Sequence, residues 1–130
     1  MAMTSPITVT VVPLQAQGDG EASPVSVDRL LAGEPAPRAW NLYSDPSGQF
    51  FAGQWAAGVG RWRVVYAAHE EEFCVLLEGE VRLTDAAGSA RHFKAGDAFV
   101  VPGGFEGEWC NLTPVRKHYA IMLLKDTNSS

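Results

Sequence analysis

Turn-forming residues interrupt this chain so often that no long helix is expected in it. Thirteen glycines and eight prolines divide it into short pieces, and between them β-branched and aromatic residues recur in runs of strand length. From Arg38 onward the runs are regular: Ala39–Ser44, Gln49–Ala57, Arg61–Ala68, Glu72–Leu77, Glu80–Thr84, Ala90–Phe93, Ala98–Val101, Phe105–Asn111 and Val115–Leu124. Their separators are turn sequences, among them Asp45-Pro46-Ser47-Gly48, Gly58-Val59-Gly60, Asp85-Ala86-Ala87-Gly88 and Pro102-Gly103-Gly104, which supply pre-set φ values or tolerate positive ones. Glu78 and Gly79 read as a tight hairpin. Evenly spaced short strands with such turns predict an antiparallel sandwich or barrel.

The first third is less regular. Ile7–Val12 alternates like a strand, the polar, glycine-rich Gln15–Ser23 reads as a mobile loop, and Asp28–Ala32 ended by Gly33 reads as one helical turn capped by Asp28 or Ser26. The 130-residue length predicts a single domain. A domain of this size buries only about two thirds of its unfolded surface, which favours association with a second copy.

Ten Lys and Arg against fifteen Asp and Glu leave a formal charge of −5. That balance argues against the wide basic footprint that nucleic acid or an anionic membrane requires. No apolar run approaches the roughly 20 residues of a membrane-spanning helix. Met1–Ile7 lacks basic residues ahead of an apolar stretch, so no secretory signal is expected and the cytoplasm is the default location. Cys74 and Cys110 are far apart, without CxxC spacing, and read as reduced thiols. No GxSxG, P-loop or GxGxxG arrangement is present, and no Ser or Thr nucleophile has a neighbouring histidine at a familiar spacing.

Two spaced motifs carry a resemblance. Gly60, Glu72 and Gly79 fall in register with the first motif of the cupin superfamily, and Gly96, Pro102, Gly104 and Asn111 with the second. The chain thus resembles the cupins, which implies an all-β, single-domain jelly-roll barrel. Trp40 with the following AspProSerGlyGln run, the EEFCVLLEGEVRLTD hairpin, AGDAFVVPGGF and PVRKHYAI are similar to the (S)-ureidoglycine aminohydrolase-like branch (DUF861, Cupin_3). The implied division is an N-terminal arm and loop over 1–24, the cupin domain over 25–124 and a flexible tail over 125–130.

In metal-dependent cupins three histidines and a glutamate hold the ion. The corresponding positions here are Tyr66, Ala68, Glu72 and Gly107. A lone carboxylate does not make a selective transition-metal site, so neither a metal nor another cofactor is expected. His69 lies out of phase with the barrel interior, and His92 and His118 are expected at surface or packing positions. A rearranged site of Glu72, His69 and Cys74 is the alternative.

If the positions that the resemblance gives to the metal ligands face inward, alternation puts Trp62 and Val64 on the inner face with Tyr66, Cys74 and Leu76 with Glu72, and Trp109 with Gly107, and Phe99 or Val100 joins them. Trp62, Tyr66, Glu72, Cys74 and Trp109 are therefore the candidate ligand-binding residues, with Glu72 and Tyr66 the candidates for any catalysis. An aromatic wall around one carboxylate suits a small organic molecule, including one with a cationic or amino group. The same aromatics also serve as core, above all Trp40 and Trp55. Glu72, if inward, needs a partner; Arg63, Arg82, Arg91 and Arg116 are available, and Glu70–Glu72 otherwise reads as a solvated strand end.

Three readings follow. The first is a metal-free, homodimeric cupin binding a small metabolite, the second face of Phe73, Val75 and Leu77 being apolar and needing cover. The second, implied by the aminohydrolase resemblance, is an enzyme acting on a ureido or amino compound. In that branch the enzymes are double cupins dependent on a divalent metal; a variant mechanism would use Glu72 as general base and Tyr66 as donor. The third, from the resemblance to the short cupin of ethanolamine utilisation, is an accessory or assembly protein.

Overall fold

The computed structural model describes residues 8–125. Eleven strands run β1 (Glu21–Ala22), β2 (Leu30–Gly33), β3 (Arg38–Ser44), β4 (Phe50–Ala57), β5 (Gly60–Val65), β6 (Glu70–Glu78), β7 (Glu80–Asp85), β8 (Ala90–Lys94), β9 (Ala98–Val101), β10 (Glu106–Asn111) and β11 (Val115–Leu123). They form two sheets, β1-β3-β4-β11-β6-β9 and β2-β5-β10-β7-β8, in which every pairing is antiparallel. This is the jelly-roll barrel the two motifs imply. Among the described residues no helix is long and apolar enough to cross a membrane.

The turns work as their sequences require. Gly79 joins β6 to β7 at φ 91°, and a Cβ there would lie 2.1 Å from the Pro114 carbonyl oxygen, so only glycine fits the hairpin. Asp45 organises the β3–β4 turn: its Oδ1 accepts from the backbone N–H groups of Gln49 at 2.8 Å and Phe50 at 2.7 Å. The Ser47 hydroxyl, donating to Oδ2, and then these backbone bonds hold its carboxyl down to about 2.

Alternation along each strand puts one face of each sheet into a shared core of Trp62, Cys74, Leu76, Val81, Leu83, Phe99, Val101, Trp109 and Val115. Phe99 is the inward residue of β9, whereas Val100 is exposed. Phe99 stacks on Phe93 at 4.3 Å between ring centroids.

The N-terminal third differs from expectation. Ser26 does start a turn, its carbonyl accepting from the N–H groups of Arg29 and Leu30, but the chain then becomes β2 and pairs with β5. Ladder hydrogen bonds to a neighbouring strand outweigh a single isolated turn of helix. Ile7 lies outside the described residues; Thr8–Val12 forms no strand and joins no sheet. The 15–23 stretch contains β1, and the Trp40 indole N–H donates to the Gly18 carbonyl at 3.2 Å. Trp40 is therefore held on the outer face of its sheet under this segment, with the Arg116 guanidinium 5.0 Å above its ring, and is not core filling.

Candidate functional site

Between the sheets lies a cavity of about 680 Å³, within the size range of small-molecule sites. Trp62, Tyr66, Glu72 and Trp109 line it as their strand phase predicts, joined by Trp55, Lys117 and Tyr119. Cys74 does not reach its wall; it is completely buried, 0% exposed, behind it.

β6 and β11 build the floor. Inward residues of β6 are Glu72, Cys74 and Leu76, and those of β11 are Val115, Lys117 and Tyr119. Glu72 and Lys117 are 6% and 5% exposed, yet both are charged residues, and their burial demands that each satisfy the other. The Lys117 ammonium donates to Glu72 Oε2 at 3.2 Å and approaches Cys74 Sγ at 3.6 Å. The other carboxylate oxygen, Oε1, accepts from the Tyr66 hydroxyl at 2.5 Å.

The wall is aromatic. Trp62 and Trp109 face each other across the β5–β10 ladder and stack with an interplanar angle of 17° at 6.4 Å; Trp55 tilts against both from the opposite sheet, 6.0 Å from each. The Lys117 nitrogen lies 4.2 Å from the Trp109 ring centre and 4.8 Å from that of Trp55, within cation–π range of both. Trp109 is fixed from behind: its indole N–H donates to Asn111 Oδ1 at 2.8 Å, and the Asn111 amide donates to the Gly58 carbonyl at 2.9 Å. Asn111, a scaffold position of the second motif, thereby orients a ring of the site.

Ionisation follows from burial and pairing. Burial pulls the Lys117 ammonium toward losing its proton, but the Glu72 carboxylate outweighs it and the net direction is upward, so Lys117 is a cation at neutral pH and no amine nucleophile. Burial, reinforced by Glu72, raises the Tyr66 hydroxyl. Burial pushes the Cys74 thiol up to about 12 against the opposing pull of Lys117, so it stays an unreactive S–H.

Several expectations are corrected. Glu72 is paired by Lys117, not by an arginine: Arg63 is exposed, and Arg116 donates instead to Gln54 Oε1 at 3.2 Å. A cationic ligand meeting Glu72 and the ring faces finds both engaged by Lys117. Trp55 packs against the core as read and also forms part of the cavity wall. Glu72 is no solvated strand end, and Glu70 and Glu71 accept backbone N–H bonds from Ala67 at 3.2 Å and Gly103 at 2.9 Å. β5 stops at Val65, and Ala68 lies exposed beyond it.

The donor set does not fit a transition metal. A side chain at Gly107 would start 2.0 Å from the Thr84 carbonyl oxygen, so the position cannot carry an imidazole without displacing β7. His69 is exposed and separate from Glu72 and Cys74, and among the described residues no three His, Cys, Asp or Glu groups are placed to hold an ion. His92 is at the surface, 3.1 Å from Glu80. Lys117 is the residue the sequence reading passes over, although its signal was present: it shares strand phase with Val115 and Tyr119.

An antiparallel jelly-roll with a ligand-sized pocket between its sheets is an architecture that the cupins share. Residues 44–119 match the EutQ-like cupin domain model, Cupin_3, and the chain belongs to that family. A Pseudomonas syringae pv. tomato protein of unknown function in the DUF861 family superposes with a TM-score of 0.70 at 27% identity. The match covers 78% of this chain but only 43% of that one, so this chain spans less than half its length. The putative ethanolamine utilization protein Q of Salmonella typhimurium superposes with a TM-score of 0.60 at 23% identity, over 69% of this chain and 72% of that one. The Clostridium difficile EutQ protein does so with 0.61 at 11%, over 74% and 69%. The likeness to these two shows the fold alone. No curated protein matches the chain.

Proposed function

We propose that this cupin binds a small organic metabolite in its barrel, against the Trp55, Trp62 and Trp109 wall and over the Tyr66–Glu72–Lys117 floor, without a transition-metal centre. The observation that carries the reading is the floor itself: a charge-paired, hydrogen-bonded polar trio at the base of a cavity of about 680 Å³. Pockets that are mostly apolar with a few fixed polar groups are the usual form of small-molecule sites. A thermal-shift screen of amides, ureido compounds, small carboxylates and amines tests it, since a ligand that binds only the folded state raises Tm. A hit should lose its effect in Trp62→Ala. Absence of any hit, or hits insensitive to Trp62→Ala and Tyr66→Phe alike, overturns it.

The enzyme reading, aminohydrolase-like chemistry on a ureido or amino compound, draws on the Tyr66–Glu72 contact. It ranks second because both Glu72 oxygens are already engaged, by Tyr66 and by Lys117, which leaves the carboxylate a poor base. Glu72→Gln should abolish such turnover; turnover that survives it would remove Glu72 as the general base.

We also infer a homodimer. On the outer face of the larger sheet the Leu14 carbonyl accepts from Gln54 at 2.9 Å, so the arm covers the β3–β4 half. The β6–β9 half is bare, with Phe73 47% and Val100 57% exposed on paired positions. The arm continues outward with Val9 89% and Val11 95% exposed, and the His118 Nδ1 atom on this face is buried without a hydrogen-bond partner. One copy thus offers an unpaired apolar arm and an uncovered apolar face, and a second copy related by a twofold supplies the complement of each.

A further inference from the structure

Every group around the Lys117 nitrogen is one that seeks a cation. Glu72 Oε2 lies at 3.2 Å and Cys74 Sγ at 3.6 Å, while the ring faces of Trp109 and Trp55 close the other sides at 4.2 and 4.8 Å. Tyr66 donates to the far carboxylate oxygen and so leaves Oε2 for the positive charge. A carboxylate facing two indole rings is the arrangement by which proteins capture ammonium groups. Here the ammonium arrives from β11, attached to the same chain.

We propose that the barrel interior is an ammonium-binding cage whose resident occupant is the chain's own Lys117. The cage replaces the ion that the fold family implies and that these residues do not fit. Tethering makes the occupancy intramolecular, so a free cation competes against a high local concentration. A divalent ion would also have to leave the ammonium buried beside it without a partner, at a large electrostatic cost. The cage goes beyond the metabolite-binding reading and stands whether or not a ligand enters the cavity over Lys117.

The test is to cut the tether. Lys117→Ala removes three carbons and the nitrogen, which n-propylammonium restores. The expected result is a lowered Tm for Lys117→Ala that n-propylammonium raises saturably, by about 5 °C at roughly ten times its Kd. n-Propanol, matched in size and uncharged, should do little; the amine should leave the wild-type protein unchanged, and the Lys117→Ala/Glu72→Gln double variant should not respond to it. Equal rescue by n-propanol, or none by the amine, overturns the cage. If Lys117→Ala does not fold alone, the same comparison is made by circular dichroism on refolding: folding with the amine but not the alcohol supports the cage, and any other pattern overturns it. Independently, wild-type protein titrated calorimetrically with Mn²⁺ and Zn²⁺ should show no one-per-chain binding that Glu72→Gln abolishes; such binding would overturn the proposal.

Discussion

The Lys117 ammonium and the Glu72 carboxylate meet at 3.2 Å in a space where neither side chain is more than a tenth exposed. Each charge is tolerated there only because the other is present. Lys117→Met should therefore strand Glu72 and cost about 3–5 kcal/mol, and Glu72→Leu should do the same to the lysine. The Glu72→Leu/Lys117→Met double variant should recover most of that loss, as apolar replacements of buried pairs often do. Urea denaturation of the four proteins gives the cycle; additive losses would mean that the pair is not coupled.

Alkaline pH should weaken the fold in steps. Cys74, Tyr66 and Lys117 all hold their protons more tightly in the folded protein than at their ordinary values of 9.0, 10.0 and 10.5. Above pH 9 the unfolded chain therefore releases protons that the native protein keeps, and stability falls as pH rises. Below pH 9 the contribution of all three is fully present. Cys74→Ala should move the onset from about pH 9 to about pH 10, read from Tm against pH; an unchanged onset would exclude the thiol as the first group.

Asn111 is 1% exposed and holds Trp109 through one amide oxygen and Gly58 through its nitrogen. Asn111→Ala leaves a buried indole N–H and a carbonyl without partners and should cost about 2–4 kcal/mol. The loosened Trp109 ring should also change the near-ultraviolet circular dichroism of the tryptophan cluster. Asn111→Asp keeps the acceptor but sets a buried carboxylate against the Gly58 carbonyl, and should cost at least as much as Asn111→Ala.

Phe73→Glu places a charge on the bare half of the outer face. Light scattering should give a dimer for the wild-type chain and a monomer for this variant, with far-ultraviolet circular dichroism unchanged. Deleting residues 1–13 should weaken association in the same assay. A wild-type monomer at tens of micromolar removes the arm-exchange dimer.

The barrel was legible in the sequence because its information is local. Turn residues such as Gly79, whose backbone only glycine satisfies, and strict alternation in stretches such as Val81-Arg82-Leu83 mark strand and face one residue at a time. The inward positions of Trp62, Glu72 and Trp109 followed from the same parity once the cupin resemblance had set which face is inner. What escaped was long-range or context-dependent. Lys117 carried the right phase, but a lysine reads as solvated unless its partner 45 residues away is known to face it. Leu30–Gly33 became a strand because β5 lies beside it, and nothing within Asp28–Gly33 announces that neighbour. Thr8–Val12 failed in the opposite sense, having strand character in its sequence but forming no strand.

Gly107 narrows the routes back to a metalloprotein. With the Thr84 carbonyl oxygen 2.0 Å from where a Cβ would stand, grafting an imidazole at that position would wedge β10 from β7 before it supplied a ligand. Restoring the histidines one by one therefore crosses a structural barrier as well as an electrostatic one, and any redesign toward metal chemistry has to move a strand backbone before it changes a side chain.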